Sequence, residues 1–258
     1  MTDRPASLPL PGAAPPGLRL YAVGDVHGCR AHLRRLLARI AEDAACAGGA
    51  RVRLIFLGDY VDRGPDSAGV LDDVLRLAQD GLPGVGPVEL VTLKGNHEDF
   101  MLRFLAGDEA VTASWLFNGG GAQTLESYDV EPPGLDLDPA DAARARAALN
   151  AALPDAHRRF LEGLTVSHRA GGYFFAHAGV RPGVPLDRQE AEDLMWIRKP
   201  FLESAADFGA VVVHGHTPVE RVEERANRIG LDTGAVYGGR LTAACFWGTE
   251  RRYLDVSF

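Results

Sequence analysis

The chain has 258 residues, 46% hydrophobic and 24% charged side chains, an ordinary globular composition long enough to bury a large core as one domain. Its 27 Lys and Arg against 35 Asp and Glu leave a formal charge of −8, which argues against a sequence-independent grip on nucleic acid, and no run of about 18 apolar residues is present to cross a membrane. Cys29, Cys46 and Cys245 are odd in number and lack paired spacing, so they read as small buried hydrophobes rather than a disulfide framework or a thiolate zinc site.

Residues 1–17 are Pro-rich and lack the continuous apolar stretch of a signal peptide. They read as a flexible leader ahead of one domain, 18–258, in a cytoplasmic, monomeric or weakly associating protein. LRLYAV (18–23) is a strand candidate, followed by GDVHG and a helical stretch over 29–45 in which Leu33, Leu36, Leu37 and Ile40 share a face. RVRLIFL (51–57) is the second strand, GDYVDRG (58–64) its loop, and SAGVLDDVLRLAQD (67–80) the second helix, with Ser67 as a candidate N-cap. PVELVTLK (87–94) is the third strand, followed by the loop GNHE and the helix DFMLRFLAG. This strand, loop and helix order recurs at about 35 residues, which suits right-handed crossovers in a parallel sheet.

The pattern then changes. SWLFNGGGAQTLESYDV and the helical PADAARARAALNAALPDAHRRFLEGL interrupt it as a cap-like insertion over about 109–163. HRAGGYFFAHAGV, AVVVHGHT, RIGLDTGAV, RLTAACFWG and the closing ERRYLDVSF suggest a second, mostly antiparallel or mixed sheet. Two sheets flanked by helices make one layered α/β sandwich.

Each strand of the first half ends in polar residues, and in open α/β sheets such ends converge into a ligand-binding edge. Asp25, His27, Asp59, Asp62, Arg63, Asn96 and His97 fall there, and the second half adds His177, His214 and His216. Burying Asp59 or Asp62 unpaired would cost several kcal/mol, so GDYVDRG at the end of an apolar strand demands a partner. Carboxylates, imidazoles and an amide without thiolates form a donor set for divalent transition metals, and one carboxylate can bridge two ions.

GDVHG, GDYVDRG, GNHE, HAGV and HGHT, in this order, resemble the signature of the phosphoprotein phosphatase family of calcineurin-like metallophosphoesterases. WLFNGGG, MWIRKP, GHTPVE and LDTGAVYGGRLT are similar to the bacteriophage lambda-type and bacterial serine/threonine protein phosphatases within it. The symmetrical diadenosine tetraphosphatases are the nearest rival, but typically carry GNHD and GHW where this chain has Glu98 and Thr217.

The resemblance implies a two-sheet α/β fold and a dinuclear centre of divalent ions, manganese with iron or zinc as alternatives. One ion would be held by Asp25, His27 and Asp59, the other by Asp59, Asn96, His177 and His216. It implies direct in-line attack on phosphorus by hydroxide shared between the ions. His97 matches the general acid, Asp62 the carboxylate that orients it, and Arg63 and Arg198 the phosphate clamps. Phosphorylated proteins or peptides would be the substrates, with neither nucleic acid nor membrane as partner. The runner-up is a symmetrical dinucleoside tetraphosphatase, and a non-catalytic metal-binding scaffold is the alternative of another class.

Other features carry less. Asn118 and Tyr237 are candidates for substrate contact, against a flexible glycine-rich loop for FNGGGAQ and packing on the second sheet for Tyr237. His214 would face the same side of its strand as His216 and reads as a support or structural residue. His32, His157 and His168 read as surface or core fillers, the last two without partners.

Overall fold

A computed structural model describes residues 12–46, 48–134, 136 and 138–257. Among them are two five-stranded mixed sheets. The first has the order β10 (Glu250–Val256), β9 (Leu241–Trp247), β1 (Leu18–Val23), β2 (Arg51–Phe56), β3 (Glu89–Thr92). The second has the order β4 (Ser167–Ala170), β5 (Tyr173–Ala176), β6 (Val211–His214), β8 (Arg228–Gly230), β7 (Glu223–Glu224).

β1, β2 and β3 run parallel, with Leu18 opposite Arg51 and Arg53 opposite Glu89. Their crossovers are the helices α1 (Arg30–Ala45) and α2 (Ser67–Asp80), and α3 (Asn96–Leu105) follows β3.

The continuous apolar runs reflect burial on both faces. Leu20, Ala22, Ile55, Ala244 and Phe246 point between the sheets, against Tyr173, Phe175, Val211, Val213 and Ile229. Tyr21, Val23, Leu54, Phe56 and Cys245 point the other way, against Leu33, Leu36, Val70 and Val74 of the helices. Beyond the second sheet, Leu194 of α8 (Ala191–Trp196) and Phe201 of α9 (Lys199–Leu202) cover Phe174 and Val212. Helix, sheet, sheet, helix is the resulting stack.

Several expectations need correction. RLTAACFWG and ERRYLDVSF do not join the second sheet: β9 pairs antiparallel with β1 and carries β10 outside it, extending the first sheet. The N-cap of α2 is Asp66, whose carboxylate accepts from Gly69 N at 2.8 Å, while Ser67 is fully buried. Of the leader, 1–11 lie outside the described residues, and 12–17 are docked rather than free: Ala14 N donates to Gly248 O and Gly172 N to Ala13 O. Cys46 is exposed. His157 bonds Tyr128 and Asp72, and His168 lies 3.1 Å from Arg53 Nη1, so both have partners.

The insertion contains α4 (Glu109–Ala113), a π-helix (Ser114–Gly119), α5 (Gly121–Ser127), α6 (Pro139–Ala152) and α7 (Asp155–Glu162). Trp115, Leu125, Leu149 and Leu161 share the core with α2 and α3, so it completes the helical layer. FNGGGAQ is not a flexible loop: a methyl on Gly121 would lie 2.5 Å from the Trp115 ring. No described helix is long and apolar enough to cross a membrane.

Candidate metal centre

The site forms where the carboxyl ends of β1, β2, β5 and β6 meet the first turn of α3. Five of its residues hold left-handed backbone: His27 (φ 45°), Asp59 (54°), Asp62 (73°), Arg63 (69°) and His216 (65°). Asp and His tolerate this region better than most residues, but each still bears strain that the surrounding structure must hold. Close backbone approach adds to the compaction. A methyl on Gly95 would lie 2.0 Å from Asp59 Oδ1, and one on Gly215 would lie 1.9 Å from Asp25 Oδ1.

Asp59 is the hub. Its Oδ2 lies 3.4 Å from His27 Nε2, 3.4 Å from His177 Nε2 and 3.8 Å from His97 Nε2. Its Oδ1 accepts from His97 N at 3.2 Å. His27 Nδ1 donates to Val61 O and His177 Nδ1 to Leu57 O, both at 2.9 Å, which aims each Nε2 at Asp59. Asn96 Oδ1 sits 2.9 Å from His177 Nε2. Asp25 Oδ2 accepts from His216 N at 2.9 Å, while Asp25 Oδ1 and His216 Nε2 are buried with no hydrogen-bond partner among the described residues.

These donors fit divalent cations. Among the described residues, two groups have ligand atoms close enough to hold an ion, His27 with Asp59 and His97, and Asp59 with His177 and His216. Of the buried atoms without a hydrogen-bond partner, Asp25 Oδ1 and His216 Nε2 lie on residues expected to be ligands, and His214 Nε2 does not. His97 entered the first group in place of Asp25, which differs from the expected division of ligands.

Electrostatics divide the donors: His27, His216 and Asp59 favour their ligating forms, while His177 and Asp25 are raised and would release protons as a cation binds. Burial pushes His27 down to about 3 and His216 down to about 2, so both present neutral lone pairs. Burial opposes the charge of His177, but Asp59 outweighs it and pushes the imidazole up to about 9. Burial also opposes the ionised form of Asp59, and His177 and His97 overcome it, holding that carboxyl well below its usual range. Asp25 is raised well above its usual value by burial and by Asp232 and Asp59.

Beside the hub, His97 Nδ1 donates to Asp62 Oδ2 at 2.7 Å. Burial disfavours the imidazolium, but Asp59 and the Asp62 bond outweigh it and raise the pKa of His97. Arg63 is half-buried with Nη1 2.6 Å from His27 Nε2. Exposed Arg198 precedes α9 and its charge is felt at His216. Tyr237 is 62% exposed with its ring 5.7 Å from the Arg63 guanidinium, so it does not pack on the second sheet. Asn118 is exposed on the π-helix. His214 lies outside both donor groups; its Nδ1 bonds Gly215 O and its ring meets Phe201 edge-on.

Four residues that sequence reading passed over contribute. Glu98 accepts from the backbone N–H of Asp59, Tyr60, Val61 and Gly95, a task foreshadowed by its place three residues after the α3 N-cap. Trp115 and Thr124 both bond Asp62; Trp115 opens the WLFNGGG stretch of the resemblance without being read as a site residue, and Thr124 had no sequence signal. Asp232 follows β8 by two residues, beside Gly24, and as a carboxylate past a strand end carried the same signal as Asp25 and Asp59.

Residues 18–243 match the calcineurin-like phosphoesterase family. Serine/threonine-protein phosphatase 1 of Salmonella typhimurium (strain LT2) is 30% identical over 230 residues, spanning 87% of this chain and 90% of that protein. The symmetrical bis(5'-nucleosyl)-tetraphosphatase of Methylococcus capsulatus (strain Bath) is 28% identical over 284 residues, spanning 92% and 94%. Relatives named asymmetrical bis(5'-nucleosyl)-tetraphosphatases match at similar identity. Among solved structures, a cold-active protein-tyrosine phosphatase of a psychrophilic Shewanella shares the fold, with a TM-score of 0.55 at 17% identity over 98% of this chain and 89% of that one. With the family matched over most of its length and a buried Asp and His donor cluster at the meeting of its two sheets, the chain belongs to the calcineurin-like phosphoesterases, a family of metal-dependent hydrolases.

Proposed function

We propose that this chain hydrolyses phosphomonoesters, with phosphoserine and phosphothreonine in proteins as its substrate class. Asp25, His27, Asp59, Asn96, His177 and His216 would hold two divalent ions, for which manganese, iron and zinc suit the oxygen and nitrogen donors. Such ions supply Lewis acidity at phosphoryl oxygens and make water a stronger acid. Arg63 and Arg198 orient the phosphate through planar guanidinium forks. His97 gives a proton from Nε2 to the departing oxygen, and Asp62 holds the other ring nitrogen.

The carrying observation is the His97 and Asp62 pair, buried and bonded at 2.7 Å next to Asp59. A buried imidazole whose other nitrogen is held by a carboxylate is oriented to give a proton, and proton donors matter most when the leaving group is a strong base. Serine and threonine alkoxides are such groups, whereas the nucleoside phosphate expelled from a dinucleoside polyphosphate leaves readily without a proton.

A second reading is favoured by the relatives that carry tetraphosphatase names. Manganese-loaded protein offered phosphoserine peptides and diadenosine tetraphosphate side by side separates the two. The expected result is a higher kcat/KM on the peptides; a clear preference for the dinucleotide replaces the first reading with the second.

A further inference from the structure

Asp62 is fully enclosed, at 0% exposure, and its carboxylate meets a donor on every side. Oδ2 accepts from His97 Nδ1 at 2.7 Å and from Trp115 Nε1 at 2.9 Å, and Oδ1 accepts from Thr124 Oγ1 at 2.6 Å. The backbone N–H of Asp62 is shared between Ser67 Oγ at 3.0 Å and Thr124 Oγ1 at 2.9 Å, and the two hydroxyls lie 3.1 Å apart. Thr124 has a single hydroxyl proton. Committing it to the carboxylate leaves Ser67 to donate to Thr124, so the protons order from Ser67 through Thr124 to Asp62.

Neither Trp115 nor Thr124 belongs to the strand-end loops that form the centre. Trp115 comes from the π-helix and Thr124 from α5, both in the insertion, and both are fully buried. The indole is held between the Phe104 ring at 4.5 Å and the backbone at Gly121. A π-turn inside a helical run is a common device for aiming a side chain at a functional site.

We infer that Trp115 and Thr124 are positioning residues for hydrolysis, fixing the Asp62 carboxylate so that it holds the His97 ring turned toward the reacting centre. An imidazole bonded to one carboxylate oxygen can rock about that bond. A carboxylate fixed by two further donors cannot rotate with it, so His97 Nε2 stays aimed at Asp59 and the phosphate beyond. This rests on the reading of His97 as the general acid.

The test compares Trp115→Phe, Thr124→Val, Thr124→Ser and His97→Gln with the parent, all loaded with manganese. Rates are measured on a phosphoserine peptide and on an activated aryl phosphate, and bound metal is counted. Thr124→Val and Trp115→Phe are expected to lower kcat on the peptide about tenfold, the size of losing one charge-assisted bond, and to lower it much less on the aryl ester. KM and bound metal stay unchanged, and Thr124→Ser restores most of the loss. Should Trp115→Phe fold poorly, the Val and Ser pair at Thr124 decides, since Val keeps the side-chain shape without the hydroxyl and Ser keeps the hydroxyl. If the two substrates fall equally or not at all while His97→Gln keeps its leaving-group dependence, the positioning role is overturned and the acid assignment stands. If His97→Gln itself falls equally on both, the acid assignment fails and takes the positioning role with it.

Discussion

At Glu98 one carboxylate organises the backbone of two loops. Oε2 accepts from Asp59 N and Gly95 N at 2.9 Å, and Oε1 accepts from Tyr60 N at 2.7 Å and Val61 N at 3.2 Å. These bonds hold the left-handed turn at Asp59 and join it to the start of α3, which places Asn96 and His97. Glu98 is therefore committed to the main chain, and the difference between GNHE and GNHD concerns the support of the loop more than the choice of substrate. Glu98→Asp is expected to lower unfolding free energy by about 1–2 kcal/mol, because the shorter arm cannot reach all four donors. The ratio of kcat/KM on phosphopeptide to that on diadenosine tetraphosphate should stay within about twofold of the parent ratio. Urea denaturation and paired kinetics check the two halves, and a swing of the ratio toward the dinucleotide would give Glu98 a direct part in specificity.

Among the elements, the edge pair β7 and β8 offers an electrostatic test on residues outside the donor groups. Arg228 is only 2% exposed, and its Nη1 meets Glu223 Oε2 at 2.7 Å while Nη2 donates to Leu202 O. The Arg228 hydrogen bond pulls Glu223 from its usual 4.5 down to about 2. A depressed carboxylate stabilises the fold above its unfolded pKa and loses that contribution as pH falls through the folded value. Glu223→Gln should thus cost about 2 kcal/mol at pH 7, and the deficit should shrink between about pH 4.5 and pH 2. Urea midpoints across that range check the sign. The elements also show what the sequence could convey. LRLYAV, RVRLIFL and SAGVLDDVLRLAQD were legible because burial on two faces and helical spacing are local patterns. The sheet to which LTAACFW belongs was not, since β9 could have added to either sheet and its partner, β1, lies more than two hundred residues away. The donor set was legible because polar residues at the ends of apolar strands stand out against their surroundings. The contacts of Trp115 and Thr124 with Asp62 were hidden, although Trp115 opens the WLFNGGG stretch, because an aromatic and a threonine in helical segments read as ordinary packing; the π-helix and α5 bring them to Asp62.

Across the whole molecule, the donor cluster is a joint between layers. Asp25, His27, Asp59 and Asn96 follow or begin elements of the first sheet's layer, while His177 and His216 follow β5 and β6 of the second. Asp59 faces both: His27 and His97 from its own side, His177 from the other. Cations bound there would tie the two sheets by their loop ends, adding a cross-link to the apolar contact between them. A ligand that binds only the folded state stabilises it by about 2.7 kcal/mol per site at a hundred times its dissociation constant. Manganese is therefore expected to raise the thermal midpoint saturably, and chelation to lower it. Asp59→Asn keeps a residue that tolerates the left-handed turn but removes the charge facing the three imidazoles, so it should fold and lose most of that metal-dependent gain, along with bound metal and activity. Glu223→Gln, outside both donor groups, should start from a lower midpoint and gain as much from manganese as the parent. Thermal scans of the three proteins with chelator and with manganese make the comparison; an undiminished gain in Asp59→Asn would show that the cation sits elsewhere and that Asp59 is not its bridge.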